Sequence, residues 1–392
     1  MFVRSTLALT LCASLIACDA GTSPAAGSTA ELKLAPPTHD GAVPGCGPEV
    51  TADDGAIRVR PTGVEDTANL QCALDAAVAS GRPTAVRLAP GTFQLAQIVA
   101  KGFVGSLEGS GAGATTLTNV ARPVLVTPVD MWLEDPGPSN PWPSLFAFVG
   151  GSFRVSDLTV RITGEAPTTG WSIFGIDPPV RAFAHAFVVL GERANAEFAR
   201  VELEGAPAPS DLAGLNLLNG IFFEGFLGTS DQAPISGRFL VHDCVVRQVA
   251  SPVPVSNARH ADVAITGNLF EGTLLGGEIA DLEDVRYLFA GNRVDAAWAG
   301  VTAYDGCTGG SSVCGMRDAT LLVAGNTLRG FDGVEILSTF GPEMRCAVTG
   351  NTISYDAGSA AVVLGAGTTG CLVVTAGAVA DDGTGNHVIV HP

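Results

Sequence analysis

Ile265-Thr266-Gly267-Asn268, Phe289-Ala290-Gly291-Asn292, Val323-Ala324-Gly325-Asn326 and Val348-Thr349-Gly350-Asn351 are copies of one pattern: an apolar residue, then Thr or Ala, then Gly-Asn. Their asparagines lie 24, 34 and 25 residues apart. A period near that length marks a solenoid, whose coils stack because none can bury its apolar side alone. Around each copy the apolar residues keep strand periodicity. Ile265, Phe289, Val323 and Val348 share one register and Phe270, Val294, Leu328 and Ile353 another, and both sets should point inward. Gly-Asn between them suits a bend with a left-handed backbone, so Asn268, Asn292, Asn326 and Asn351 are read as a structural ladder at one corner. A further short strand follows at 300–303, 333–336 and 361–364. Two or three strands per coil make a β-helix.

Weaker copies lie upstream, at Val155-Ser156-Asp157-Leu158, Phe198-Ala199-Arg200-Val201 and Val241-His242-Asp243-Cys244. Their wider spacing implies loops inserted between strands, and Asp243 is read as filling the ladder position. Before them, Asp66 is expected to N-cap a helix from about Thr67 to Ser80, with Leu70, Ala73, Leu74, Ala77 and Val78 as its apolar stripe. The stretch from Ala85 to Phe93 reads as strand and turn. The glycine-rich stretch from Leu107 to Leu117 reads as a tight coil corner rather than a phosphate loop, since no lysine follows it.

This order resembles the N-terminal region of the pectate-lyase-like superfamily, and the resemblance covers most of residues 50 to 390. It implies an all-β, right-handed parallel β-helix with an N-terminal capping α-helix. It implies no single activity, because that superfamily holds lyases, hydrolases, epimerases, phage tailspikes and adhesins. The Asp-pair and Gly-His-Gly pattern of its polygalacturonases and the Trp-Ile-Asp-His-type segment of its calcium pectate lyases are absent from this sequence.

Residues 1–17 read as a signal peptide, with Arg4 ahead of an apolar run from Leu7 to Ala17 that is too short to span a bilayer. Leu15-Ile16-Ala17-Cys18 resembles the lipobox of bacterial lipoproteins, which implies acylation of Cys18 and membrane attachment by lipid alone, outside the cytoplasm. Residues 18–45, rich in Ala, Gly, Ser, Thr and Pro, read as a disordered tether, and residues 46–392 as the β-helix domain. The formal net charge of −18 opposes contact with nucleic acid phosphates.

Export permits disulfides. Cys346 and Cys371 lie one coil apart in the same register. Cys307 and Cys314 sit in the one Gly-Asn coil that is 34 rather than about 25 residues long and would pin its inserted loop. Cys46 and Cys72 would join the lead-in segment to the helix, which leaves Cys244 as a buried thiol.

Outward residues of stacked strands form rows, and Glu278 and Glu335 fall in the row of Phe222 and Thr302, with Glu224, Asp281 and Asp305 nearby. Glu278, Asp305 and Glu335 are therefore candidates for glycoside chemistry, for Ca²⁺, or for a solvated acidic face. Trp132, Trp142 and Trp171, in long insertions, could stack on sugar rings or close their own loops. His242 is read as structural, and His260 as a loop residue. No redox cofactor is implied. Two functions follow: a non-catalytic envelope protein presenting a surface to glycan or another envelope component, which the missing motifs favour, and a polysaccharide hydrolase or lyase using the acidic row. Replacing Cys18 with Ser should move the protein from the detergent-extracted membrane fraction to the soluble one; unchanged membrane association would refute lipidation.

Overall fold

Parallel pairing carries the chain upward one strand at a time. Ala56–Val59 pairs with Thr84–Leu88, which pairs with Val104–Glu108, and the ladder continues through Ser152–Arg161 and Ala194–Glu204 to His387–Val390. We call this sheet A. Sheet B runs from Gly91–Leu95 to Thr352–Tyr355, and sheet C from Ile98–Lys101 to Val379–Asp381. Each coil passes A, B and C in turn, and some runs continue around the corners, as Leu269–Ala290 does. The computed structural model is thus a right-handed parallel β-helix with three sheets, described over residues 41–120, 144–162, 185–205, 219–225, 234–304, 315–337 and 344–391. Cys18, Trp132, Trp142, Trp171, Asp305, Cys307 and Cys314 lie outside those residues.

The core is built of columns of inward side chains from all three sheets. In sheet A it includes Phe198, Ile265, Phe289 and Val348, in sheet B Phe93, Phe270 and Leu328, and in sheet C Phe148, Phe223 and Ile279, all buried. Rings stack across sheets in the earlier coils, with Phe148 and Phe153 centroids 4.1 Å apart and Phe223 and Phe239 4.7 Å apart. Burying each such ring contributes roughly 2–3 kcal/mol relative to leaving it in water.

The corner between sheets A and B needs one residue in the left-handed region. Glycine supplies it at Gly267, Gly291, Gly325 and Gly350, with φ of 66°, 64°, 65° and 64°. The next residue is the ladder asparagine. Asn292 Oδ1 accepts from the Asn268 main-chain N–H at 2.9 Å and from Asn268 Nδ2 at 3.0 Å, while Asn292 Nδ2 donates to the Ile265 carbonyl at 2.8 Å. Asn326 and Asn351 repeat these contacts.

At Cys244 the ladder ends, because its main-chain N–H donates to Asn268 Oδ1 at 2.9 Å while its thiol cannot continue the chain of amides. Cys244, not Asp243, therefore fills the ladder position. Asp243 takes the glycine's place, with φ 55°, and Arg200 and Asp157 do so in the two coils below, with φ 53° and 60°. Asp tolerates that conformation better than Arg does. The strained Arg200 is held by a two-pronged bond to Asp157, at 2.6 and 2.7 Å.

The first coils are closed by an antiparallel hairpin, Val50–Asp53 with Ala56–Val59, and by helix α1, Thr67–Ala79. Leu70, Ala73, Leu74 and Ala77 face the core, whereas Val78 is exposed, one step beyond the buried stripe. Asp66 occupies the N-cap, but its carboxylate does not cap the helix. It accepts instead from Thr62 N–H and hydroxyl and from Gln94 N–H, tying the helix start to sheet B. Gln71 imitates a strand, donating from Nε2 to the Val99 carbonyl and accepting from Val99 N–H at Oε1. Cys46 is bonded to Cys72 and Cys346 to Cys371, and Cys244 is a buried free thiol. Among the described residues no helix is long and apolar enough to cross a membrane.

Asn292→Ala would strand the buried N–H of Asn268 and the carbonyl of Ile265, and should cost about 2–3 kcal/mol in denaturant unfolding. Asn351→Ala, at the half-exposed last rung, should cost about half as much. Equal losses would contradict the ladder's dependence on burial.

Candidate functional site

Sheets A and B dress their outer faces with paired charges. Arg247 reaches Glu202 at 2.7 Å in the coil below and Glu271 at 2.9 Å in the coil above, and Arg161 holds Glu204 at 2.9 Å. Arg286 holds Asp262 through two bonds on sheet A, and Arg329 pairs with Asp295 on sheet B. Arg286 and Arg329, the basic residues a lyase reading would call on, are thus committed to faces away from the acidic row. His242 sits between Asp243 Oδ2 at 2.7 Å and Glu197 Oε1 at 3.1 Å, a coil-to-coil tie that supports its structural reading. His260 touches Asp284 at 2.8 Å, both exposed.

Sheet C is different. Strand alternation and register place Val99, Ala147, Val188, Phe222, Pro254, Glu278, Thr302 and Glu335 in one outward row. Its first half is apolar, with Ala147, Val188 and Phe222 joining Leu190 of the adjacent row in a second, buried cluster separate from the core. Its second half carries carboxyls, and among the described residues neither Glu278 nor Glu335 has a lysine or arginine partner. The two are separated by one rung, Thr302, which at two strand spacings sets them roughly 9–10 Å apart.

Each carboxyl is held by one hydroxyl. Tyr304 Oη donates to Glu278 Oε1 at 2.6 Å, and Thr302 Oγ1 donates to Glu335 Oε2 at 3.2 Å. Glu278 keeps a partial opening to solvent but is crowded by protein, and desolvation raises its pKa against the opposing pull of Tyr304 and neighbouring Ser251. The negative charge on Glu278 in turn keeps the Tyr304 phenol protonated. Glu335 is half-buried. Desolvation first, and then the adjacent Asp332 carboxyl, push its pKa up to about 7. Asp332 is itself fixed by accepting the Ala360 N–H at 3.0 Å.

Glu278 and Glu335 thus share one outer row, while Asp305 lies outside the described residues, as do the three tryptophans. Asp281 is turned away from the row. It is buried, has φ 53°, and accepts the Gly315 N–H at 2.9 Å, which makes it a turn residue. Tyr304 and Asp332 were not among the sequence candidates. Tyr304, two residues beyond Thr302, could have been found by alternation. Asp332 could not, because it stands three residues before Glu335 at the start of the same strand, on the opposite parity. Among the described residues no three His, Cys, Asp or Glu side chains are grouped to hold a metal ion.

No family model matches this sequence, nor does any curated protein. Solved structures do resemble the fold. The A-module of Azotobacter vinelandii mannuronan C-5 epimerase AlgE6 is 13% identical over 84% of this chain and 96% of its own, with a TM-score of 0.38. Pectin methylesterase PemA from Erwinia chrysanthemi is 12% identical over 72% and 85%, with a TM-score of 0.35. The enzymatically active domain of bacteriophage CBA120 tailspike protein 2 is 10% identical over 81% of this chain and 47% of its own, with a TM-score of 0.40.

Because Glu335 binds its proton more tightly folded than unfolded, its ionisation works against the fold. Stability is fully present below the ordinary carboxyl range and declines as pH rises through about 7. Glu335→Gln should therefore raise the thermal midpoint by a few degrees at about pH 8 and change it little near pH 4. A shift of equal size at both pH values would contradict a raised Glu335 pKa in the folded protein.

Proposed function

We propose that the protein is an envelope-anchored glycoside hydrolase, held at Cys18 and acting through Glu278 and Glu335 on the outer face of sheet C. The observation that carries this reading is the pair itself: two carboxyls in one row, both with raised pKa, each steadied by a hydroxyl. Perturbed carboxyls without a balancing cation cost stability, and they cluster where chemistry requires them. Their spacing of roughly 9–10 Å lies at the upper edge of the ~6.5–9.5 Å that lets an inverting enzyme seat a water between acid and base.

Glu335, protonated up to about pH 7, would give its proton to the glycosidic oxygen. Glu278, oriented by Tyr304, would take a proton from water as that water attacks the anomeric carbon from the opposite side. The bond to the leaving sugar breaks with inversion, and the two carboxyls have then exchanged protonation states.

The charge of the face argues for an uncharged glycan. Glu278 and Glu335 are bonded to hydroxyls and have no lysine or arginine partner among the described residues, and Asp332 adds a third carboxyl beside Glu335. A polyuronate would meet these carboxyls with no cation to offset the repulsion.

Turnover of neutral polysaccharides, read as new reducing ends, should fall as pH rises past about 7 and vanish in Glu335→Gln. Asp332→Asn removes the neighbour that raises Glu335, so the same limb should move toward acid. A limb indifferent to Asp332 would sink the assignment of Glu335 as the acid. Glycan binding without any turnover in the wild type would replace hydrolysis with the non-catalytic presenting surface.

A further inference from the structure

Among the described residues His387–Val390 is the last strand of sheet A and pairs on one side only, with Leu372–Thr375. The other end of the solenoid is covered by helix α1 and its Gln71 amide. His387 and His391 donate their N–H groups inward, to the Cys371 and Thr375 carbonyls at 2.7 and 2.9 Å. Alternation along the strand then turns the main-chain groups of Val388 and Val390 outward, to the open edge. Sheets ordinarily guard such an edge with lysine, proline or a bulge, because it templates pairing with another chain. This strand has none of these between His387 and His391, and Ile389 and Val390 are 38% and 53% exposed.

The strand is also self-complementary. His387-Val388-Ile389-Val390-His391 reads the same in both directions. We infer that this edge joins a second copy of the chain, the two last strands pairing antiparallel about a twofold axis at Ile389.

Three features fit that arrangement. An axis through Ile389 makes Ile389 and Ile389 of the partner subunit a non-hydrogen-bonded pair, as they must be if their own main-chain groups point back into the fold. Val388 then faces Val390 of the partner subunit, and those are the residues whose N–H and C=O groups are turned to the edge. Val388 and Val390 continue the inward column of Val373 and Thr375, so the two cores would join across the junction. Directly after Thr375 the chain runs through small residues, Ala376, Gly377 and Ala378, which let the two ends approach beside this strand. The contact is isologous and closes on itself, giving a dimer and not a filament.

Sedimentation equilibrium of the purified full chain should show a dimer. Ile389→Lys, which sets like charges against each other at the axis, should weaken it by tenfold or more. Val390→Pro should weaken it as well, because it deletes an N–H at the open edge while leaving those that bond to Leu372–Thr375. Leu322→Lys, on the exposed flank of the same sheet, should leave it unchanged. In oxidising buffer Ile389→Cys should cross-link spontaneously, since facing residues of a non-hydrogen-bonded pair have Cα atoms about 4.5 Å apart, within disulfide reach. A wild-type monomer at ~100 µM would overturn the inference. So would a dimer that is untouched by Ile389→Lys and not cross-linked through Ile389→Cys.

Discussion

A chain that climbs one strand spacing per circuit must turn at the same place in every coil, and that turn buries main-chain groups which no neighbouring strand can reach. The asparagine side chains resolve this. Each carries a donor and an acceptor at the distance of a peptide group, so Asn292 serves the coil below while its own N–H is served by Asn326. Once the corner is held, strand alternation is held with it, and every side chain's face is decided. The core columns, the paired charges of sheets A and B, and the carboxyl row of sheet C all follow from that registration.

The later coils were legible because their corner is written in residues with few other uses. Gly supplies the left-handed backbone and Asn the amide, so Gly-Asn repeated at one period has a single physical reading. The earlier coils place Asp157, Arg200 and Asp243 at the same corner, where the requirement is met by side-chain bonds that no composition rule announces. Asp243 was misplaced by one residue for that reason: it resembles Asn chemically but does the work of Gly. Asp66 shows the reverse error. Its position before the helix was right, and its carboxylate was drawn off by sheet B, a partner distant in the chain.

The candidate site divides along the same line. That Glu278 and Glu335 share a row is a matter of parity and could be counted in the sequence. Their raised pKa values depend on crowding and, for Glu335, on a second carboxyl of opposite parity, neither of which periodicity reveals. Sheets A and B place their acids against arginine, as an acidic protein must if it is to keep its coils together. The exception on sheet C becomes visible only when the pairing on the other faces is known.

Coils that touch only their immediate neighbours make a molecule whose cohesion is short-ranged. Opening at one end does not weaken the middle, and the end coils, with a neighbour on one side only, are the first to fray. The two disulfides within the described residues lie where this matters, Cys46–Cys72 across the helix-capped entrance and Cys346–Cys371 across two coils near the far end. They act as end clamps on a stack that has no long-range ties. In the separated monomer under reducing conditions amide exchange would advance inward from both ends, while the coils around the asparagine ladder kept their protons longest.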